Sequence, residues 1–349
     1  MDQQYKITAR FEDGAEFNFE CGETENILSA ALRQDVRLIC QCRKAYCGSC
    51  KALCSEGDYE LGKHINVQVL PPDEEEDGIV VTCDTFPRSD LLLEFAYNSD
   101  RLGMMSAAKD CFAKVMIVER ISSIVYRLVL QPIDEQSGQP VPFDFVPGQY
   151  AEIGVPGTDK ARAFSVSNAP TQEGLLEFII RLVPGGVFAE YLTQRAEPGQ
   201  TMSLRGPMGD FWMKETPRAQ VFVGGSTGLA PLISMLRDAC ERQAKGEFHL
   251  FFGMQDADCM FFEEELKVLA SSMPNLTVHL ALIYPPQDWK GFTGNSVSDF
   301  EHYFAKRTDK PEVYLCGPAP MIEAAVAACQ RLEVPSEQVN FEEFIASGG

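Results

Sequence analysis

Four cysteines set the first chemistry. Cys42-Arg43-Lys44-Ala45-Tyr46-Cys47-Gly48-Ser49-Cys50 leaves four residues and then two between thiols, and Cys83 follows after 32 more. That is a ligand spacing of [2Fe-2S] clusters. An anionic cluster needs backbone N–H donors aimed at its sulfurs. Ala45, Gly48 and Ser49 are small enough to let the loop close around it, and Gly48 is free to take φ > 0. Zinc is the rival metal, but zinc sites usually gather cysteines as two short knuckles, whereas here three share one loop. Cys21, Cys40 and Cys54 read as bystanders, although Cys40 and Cys54 lie near enough to the loop for ligand exchange in a variant.

Two further groups of residues suit nucleotides. In Arg162-Ala163-Phe164-Ser165 the guanidinium offers forked donors to a pyrophosphate, the aromatic ring can lie against a planar ring, and the hydroxyl can reach a ring nitrogen. Gly185-Gly186-Val187 then opens a helix and leaves free N–H groups for a second phosphate contact. Downstream, Gly224-Gly225-Ser226-Thr227-Gly228 is a strand-to-helix turn where glycines let backbone approach a pyrophosphate, and Pro231 suits the first helical turn. Gly224, Gly225, Thr227 and Gly228 are the candidates there. Cys316-Gly317-Pro318 ends a later strand of the same sheet.

Charge bears on the dinucleotide's 2′ position. Between Glu247 and Leu266 there is no Lys or Arg, but there are Asp256, Asp258, Glu263, Glu264 and Glu265. A 2′-phosphate would be repelled, whereas a ribose hydroxyl can donate to Asp256 or Asp258. NADH is therefore expected over NADPH.

The elements that must hold these groups change character along the chain. Residues 1–98 hold strand-like runs at 4–11 and 15–19 and a helical pattern at 27–32, capped by Thr24. A linker is expected at 99–110. Residues 111–212 show short strands with Pro-Gly turns and one helix at 188–195, the pattern of an antiparallel barrel. Residues 213–349 alternate strand and helix, the pattern of a parallel α/β sheet. The chain is thus expected to be multidomain: an α+β cluster domain, a β-barrel domain and an α/β nucleotide-binding domain.

These segments resemble known families. The first is similar to plant-type ferredoxin domains, which implies a β-grasp-like fold, with Ala45 where glycine is common. Arg162-Ala163-Phe164-Ser165 resembles the Arg-x-Tyr-Ser signature of the ferredoxin–NADP reductase superfamily, Phe164 replacing the Tyr, and this implies FAD. Ala189 stands where that family often has Ser or Thr. Cys316-Gly317-Pro318-Ala319-Pro320-Met321 resembles its Cys-Gly-Pro-x-x-Met, which implies a thiol beside the nicotinamide. The ending Phe341-Glu342-Glu343-Phe344 resembles a tail whose aromatic, here Phe344, covers the flavin. Ser165, Cys316 and Phe344 are the residues that the resemblance places at hydride transfer.

As a whole the chain resembles the reductase components of bacterial multicomponent oxygenases, and among them those serving soluble methane monooxygenase. The segments that carry this are 50–59, 70–72 with its acidic run, 156–159 and the tail. The resemblance implies an NADH-dependent oxidoreductase passing electrons from NADH to FAD to [2Fe-2S] and then to a diiron hydroxylase. Reductases of phenol, toluene, alkane or benzoate oxygenases share these modules, and a stand-alone NADH reductase of a small oxidant is the remaining alternative.

Charge limits the partners. Lys plus Arg is 30 against 51 for Asp plus Glu, a net charge of −21. This argues against nucleic acid and anionic membrane surfaces and favours a basic protein face. Residues 1–98 alone hold 9 basic and 19 acidic residues, net −10, including Asp73 to Asp77, so docking through this domain is expected. No apolar run reaches the length of a membrane span and the N-terminus lacks a signal-like segment, from which a cytoplasmic location is expected.

Overall fold

Side-chain alternation sets the first sheet. In β1 (Gln4–Phe11) Ile7, Ala9 and Phe11 point to one buried face. In the computed structural model, which describes residues 3–34, 36–40, 45, 48, 50–63, 65, 69–99, 102, 108–170 and 174–344, the chain divides into two compact units. These are Met1–Ser106 with Met208–Asp210, and Ala107–Pro207 with Phe211–Gly349.

The first unit continues with β2 (Glu16–Gly22), α1 (Ile27–Arg33), β3 (Lys51–Glu56), β4 (Tyr59–Leu61), α2 (Pro72–Glu76), β5 (Ile79–Val81), β6 (Thr85–Pro87) and β7 (Leu91–Phe95). Its main sheet runs β2-β1-β7-β3-β5, and β4 pairs with β6 in a small second sheet. β1 is antiparallel to β2 and parallel to β7. α1 buries Ile27, Leu28, Ala30 and Ala31, which completes a β-grasp-like arrangement. Its cap differs from the expected Thr24: the Asn26 side chain accepts from the Ser29 N–H at 2.8 Å. Asn is as good a cap as Thr and stands immediately before the first helical residue. The acidic run forms a short helix, with Pro72 at its first position and three carboxylates in its first turn.

The second unit opens with β8 (Lys109–Arg120), β9 (Val125–Ile133), β10 (Tyr150–Gly154), β11 (Ala161–Ser165), β12 (Leu176–Arg181), α3 (Val187–Gln194) and β13 (Thr201–Met208). The order is β11-β10-β13-β8-β9-β12. A bridge between Val166 and Phe178 joins the two edge strands, which closes the sheet into a barrel. Of the linker expected at 99–110, Lys109 and Asp110 belong to β8, and residues 100, 101 and 103–107 lie outside the described ones.

The sheet that follows contains β14 (Gln220–Gly225), β15 (Phe248–Asp256), β16 (Leu276–Tyr284), β17 (Phe292–Thr293), β18 (Glu312–Pro318) and β19 (Val339–Phe344). It is parallel throughout, in the order β17-β16-β15-β14-β18-β19. α4 (Leu229–Glu241), α5 (Glu263–Ser272), α6 (Ser296–Phe304) and α7 (Ala319–Arg331) make the connections. β14 and β15 are buried along nearly their whole length, as strands covered on both faces must be.

Barrel and parallel sheet are tied by one buried carboxylate. Glu177 of β12 accepts from Arg127 at 2.6 Å and from Arg237 of α4 at 2.6 Å. Burial alone would raise its pKa, but the two guanidiniums, Arg237 foremost, hold it below the ordinary range. Ser234 of α4 adds a hydrogen bond to the Asn168 carbonyl at 2.7 Å.

Candidate cofactor and redox sites

Strand pairing builds the cluster site. β3 and β5 pair antiparallel with Lys51 opposite Val81, so one step beyond the ladder Cys50 stands opposite Thr82, and Cys83 follows at the next position. Thr82 fixes them there: its N–H and its hydroxyl both donate to the Cys50 carbonyl, at 3.1 and 3.2 Å. The two sulfurs are 3.4 Å apart, and the Ala45 N–H points at the Cys83 sulfur from 3.3 Å. Ala45 and Gly48 both have positive φ, 56° and 71°, so the position where glycine is common keeps a left-handed conformation with Ala in it.

A third thiol joins this pair. The sulfurs of Cys40, Cys50 and Cys83 all lie within 4.8 Å of one another, and all three residues are buried. Cys42 and Cys47 lie outside the described residues. Cys40, set aside by the spacing argument, is therefore part of the thiol cluster. Hydrogen bonds from Cys40 and then Cys83 hold the Cys50 thiol below its ordinary range. Cys83, despite a hydrogen bond from Cys40, is pushed up by Cys50 and by burial, and Cys40 is raised by Cys50, Cys83 and burial. Buried thiols this close cannot all ionise without a cation among them, and an iron–sulfur cluster supplies that charge. The residues fit the group.

In the second unit, β11 is itself a strand, paired with β10 so that Tyr150 faces Ser165 and Ile153 faces Arg162. The turn before β10 is tight: Gly148 has φ +106°, and a Cβ there would stand 1.7 Å from the Phe211 carbonyl. The Arg162 guanidinium makes one hydrogen bond, to its neighbour's carbonyl at 2.9 Å, and no ion pair among the described residues. Phe164 packs edge-on to Phe188 of α3, ring centres 4.7 Å apart, which brings Arg162's strand to the start of that helix. Gly185 has φ +72°, Gly186 is the N-cap, Val187 begins α3, and no side chain caps the helix. A guanidinium without an ion pair among the described residues, on a strand that packs against a helix with an uncapped N-terminus, suits a pyrophosphate.

The register of the parallel sheet places the remaining groups in one row. Gly224 of β14 is opposite Cys316 of β18, and Cys316 is opposite Glu342 of β19. Glu342 in turn accepts a hydrogen bond from the Ser165 hydroxyl at 3.1 Å, and both are buried. Cys316 is fully enclosed. Burial first, and the Glu342 charge second, raise its thiol well above the usual range, so it stays protonated. Phe344 lies two residues beyond Glu342, opposite Pro318.

The glycine turn is closely packed. A Cβ on Gly228 would stand 2.1 Å from the Cys316 carbonyl, and one on Gly225 or Gly317 would collide with the Met321 sulfur at 2.6 or 2.7 Å. Thr227 is buried. Ser226 takes φ 53°, and its buried hydroxyl has no hydrogen-bond partner. A left-handed serine with an orphaned hydroxyl in a glycine turn is what a bound dinucleotide would satisfy. Of the two aspartates, Asp256 is a local cap, accepting from the Cys259 N–H at 3.0 Å, while Asp258 is exposed. Ser226 and Glu342 are the groups that motif reading passes over.

Three family models match: the 2Fe-2S iron-sulfur cluster binding domain at residues 10–88, the oxidoreductase FAD-binding domain at 114–212 and the oxidoreductase NAD-binding domain at 222–327. Methane monooxygenase component C of Methylosinus trichosporium is 41% identical over 280 residues, 80% of this chain and 81% of that one. The chain belongs to this family of oxygenase reductases. As such a reductase it is an NADH-dependent oxidoreductase carrying [2Fe-2S] and FAD. The propane 2-monooxygenase reductase component of Rhodococcus jostii is 30% identical, covering 94% of this chain and 89% of its own. The crystal structure of a cytochrome P450 reductase from Amycolatopsis superposes with a TM-score of 0.76 at 26% identity, covering 97% and 98% of the two chains.

Proposed function

We propose that this reductase serves the diiron hydroxylase of a soluble methane monooxygenase. The observation that carries the reading is the 41% identity to methane monooxygenase component C, against 29–30% for relatives named for anthranilate, toluate and propane oxygenases. Bound FAD supplies the exchange between a two-electron hydride donor and a one-electron cluster. The chain's own residues do the rest. The glycine turn and Ser226 bind the dinucleotide, Arg162, Gly185, Gly186 and Val187 bind the FAD pyrophosphate, and Phe164 packs beside its ring. Ser165, Cys316 and Glu342 form the polar floor where hydride passes, Phe344 screens it, and Asp258 accepts from the ribose. Cys42, Cys47, Cys50 and Cys83 ligate the cluster.

The domain limits in this reading are 1–98, a linker at 99–110, 111–212 and 213–349, in a cytoplasmic protein. No helix among the described residues is long and apolar enough to cross a membrane. Docking runs through the first domain. Of the Asp73–Asp77 carboxylates, Glu74 is engaged with Lys51, which leaves a short acidic helix with none of its side chains buried to steer toward a basic face. The test is turnover with purified hydroxylases at several salt concentrations. Faster coupling to a methane-oxidising hydroxylase than to a phenol or toluene counterpart, falling with ionic strength, supports the reading. Preference for an aromatic-oxidising partner overturns it.

A further inference from the structure

We propose that Cys40 is a reserve cluster ligand, able to take the place of Cys42 so that a [2Fe-2S] cluster persists on Cys40, Cys47, Cys50 and Cys83. The proposal rests on the cluster reading of the first unit. Its basis is the convergence of the Cys40 sulfur with those of Cys50 and Cys83, all within 4.8 Å. The other described cysteines of this unit point elsewhere: Cys21 donates to the Glu25 carbonyl at 3.2 Å, and Cys54 to the Glu56 carbonyl at 3.4 Å.

What fixes Cys40 is the core, not the ligand loop. Val36, Leu38 and Ile39 are buried around it. The Val36 N–H donates to the Ala31 carbonyl at 2.9 Å, and the Ile39 N–H to the Tyr97 hydroxyl at 3.2 Å. Cys40 is therefore presented to Cys50 and Cys83 by helix α1 and the β-sheet core, and would stay in place if the loop changed.

Moving the ligand from Cys42 to Cys40 lengthens the sequence separation to Cys47 by two residues, for which the added loop-closure cost is small. The exchange balances simply. One iron–sulfur bond to Cys42 is replaced by one to Cys40; the incoming thiol gives a proton to solvent, the departing Cys42 thiolate takes one up, and no electron is transferred.

The experiment uses the complete chain, purified anaerobically as wild type, Cys40→Ala, Cys42→Ala and the double variant. Iron and inorganic sulfide per FAD are measured, with EPR of the reduced proteins. The expected result is wild-type content for Cys40→Ala, near wild-type content with an altered EPR spectrum for Cys42→Ala, and a loss of about tenfold for the double variant. Equal loss in Cys42→Ala and the double variant overturns the proposal, as does equal retention. Because an alanine here can compromise folding, Cys42→Ser is compared with Cys40→Ala/Cys42→Ser. Different EPR spectra in that pair support ligation by Cys40, and identical spectra refute it.

Discussion

The Ser165 hydroxyl of the barrel donates to the Glu342 carboxylate of the last strand at 3.1 Å, inside the protein, and Glu342 lies opposite Cys316 in the parallel sheet. One hydrogen bond thus links the residue expected at the flavin ring to Glu342, the register neighbour of the residue expected at the nicotinamide. Ser165→Ala should leave FAD bound, since Arg162 and the α3 N-terminus are untouched, and slow flavin reduction by about tenfold or more. Stopped-flow absorbance with NADH checks this. An unchanged reduction rate would make the contact structural only.

Cys316 is fully buried and stays a neutral thiol. In the proposed reading, replacing it by Ala removes a group at the reacting edge and leaves the glycine turn proposed to bind the dinucleotide. The expected outcome is a fall in kcat with the KM for NADH within about twofold of wild type. A rise in KM at constant kcat would assign the thiol to ground-state binding.

The two aspartates should separate. Asp256 caps a turn through the Cys259 N–H, so Asp256→Ala should cost about 1 kcal/mol of stability with little change in cofactor preference. Asp258→Ala should instead relax the preference for NADH over NADPH and leave stability within about 0.5 kcal/mol. Thermal melts and the ratio of kcat/KM for the two nucleotides read both effects.

Acid stability follows from a histidine pair in the parallel sheet. His279 is held down at about 4 by burial, with the neighbouring His249 adding to the effect. The unfolded chain takes up a proton near the ordinary value of 6.5, which folded His279 does not do until about 4. Stability present above the unfolded value is therefore lost as pH falls through that window, by up to about 3 kcal/mol. Asp299, raised to about 6 by burial, works in the opposite sense. Comparison with His279→Gln isolates the histidine: the wild type should lose more stability than the variant between pH 7 and pH 4.5. Parallel losses would contradict it.

Much of the fold and of the candidate site is legible in the sequence. The glycine turn and Cys316 could be read because both end strands of a regular parallel sheet, where periodicity and turn residues agree. β11 is less legible, because Ala161–Ser165 carries small and exposed residues and lacks a strong apolar alternation. Glu342 was hidden for a different reason: its role comes from register with β18 and from contact with a barrel strand 177 residues away, and neither leaves a local pattern. Cys40 was set aside because thiol spacing describes a loop, whereas its position is set by packing of the preceding Val36–Ile39 segment.

The central claim is that electrons from NADH reach an iron–sulfur centre on this same chain. Anaerobic titration of the purified protein with NADH, followed by visible absorbance and low-temperature EPR, tests it most directly. The flavin bands should bleach while the paramagnetic signal of a reduced [2Fe-2S] cluster grows with added NADH. Complete bleaching of the flavin with no cluster signal at any ratio of NADH to protein would contradict it.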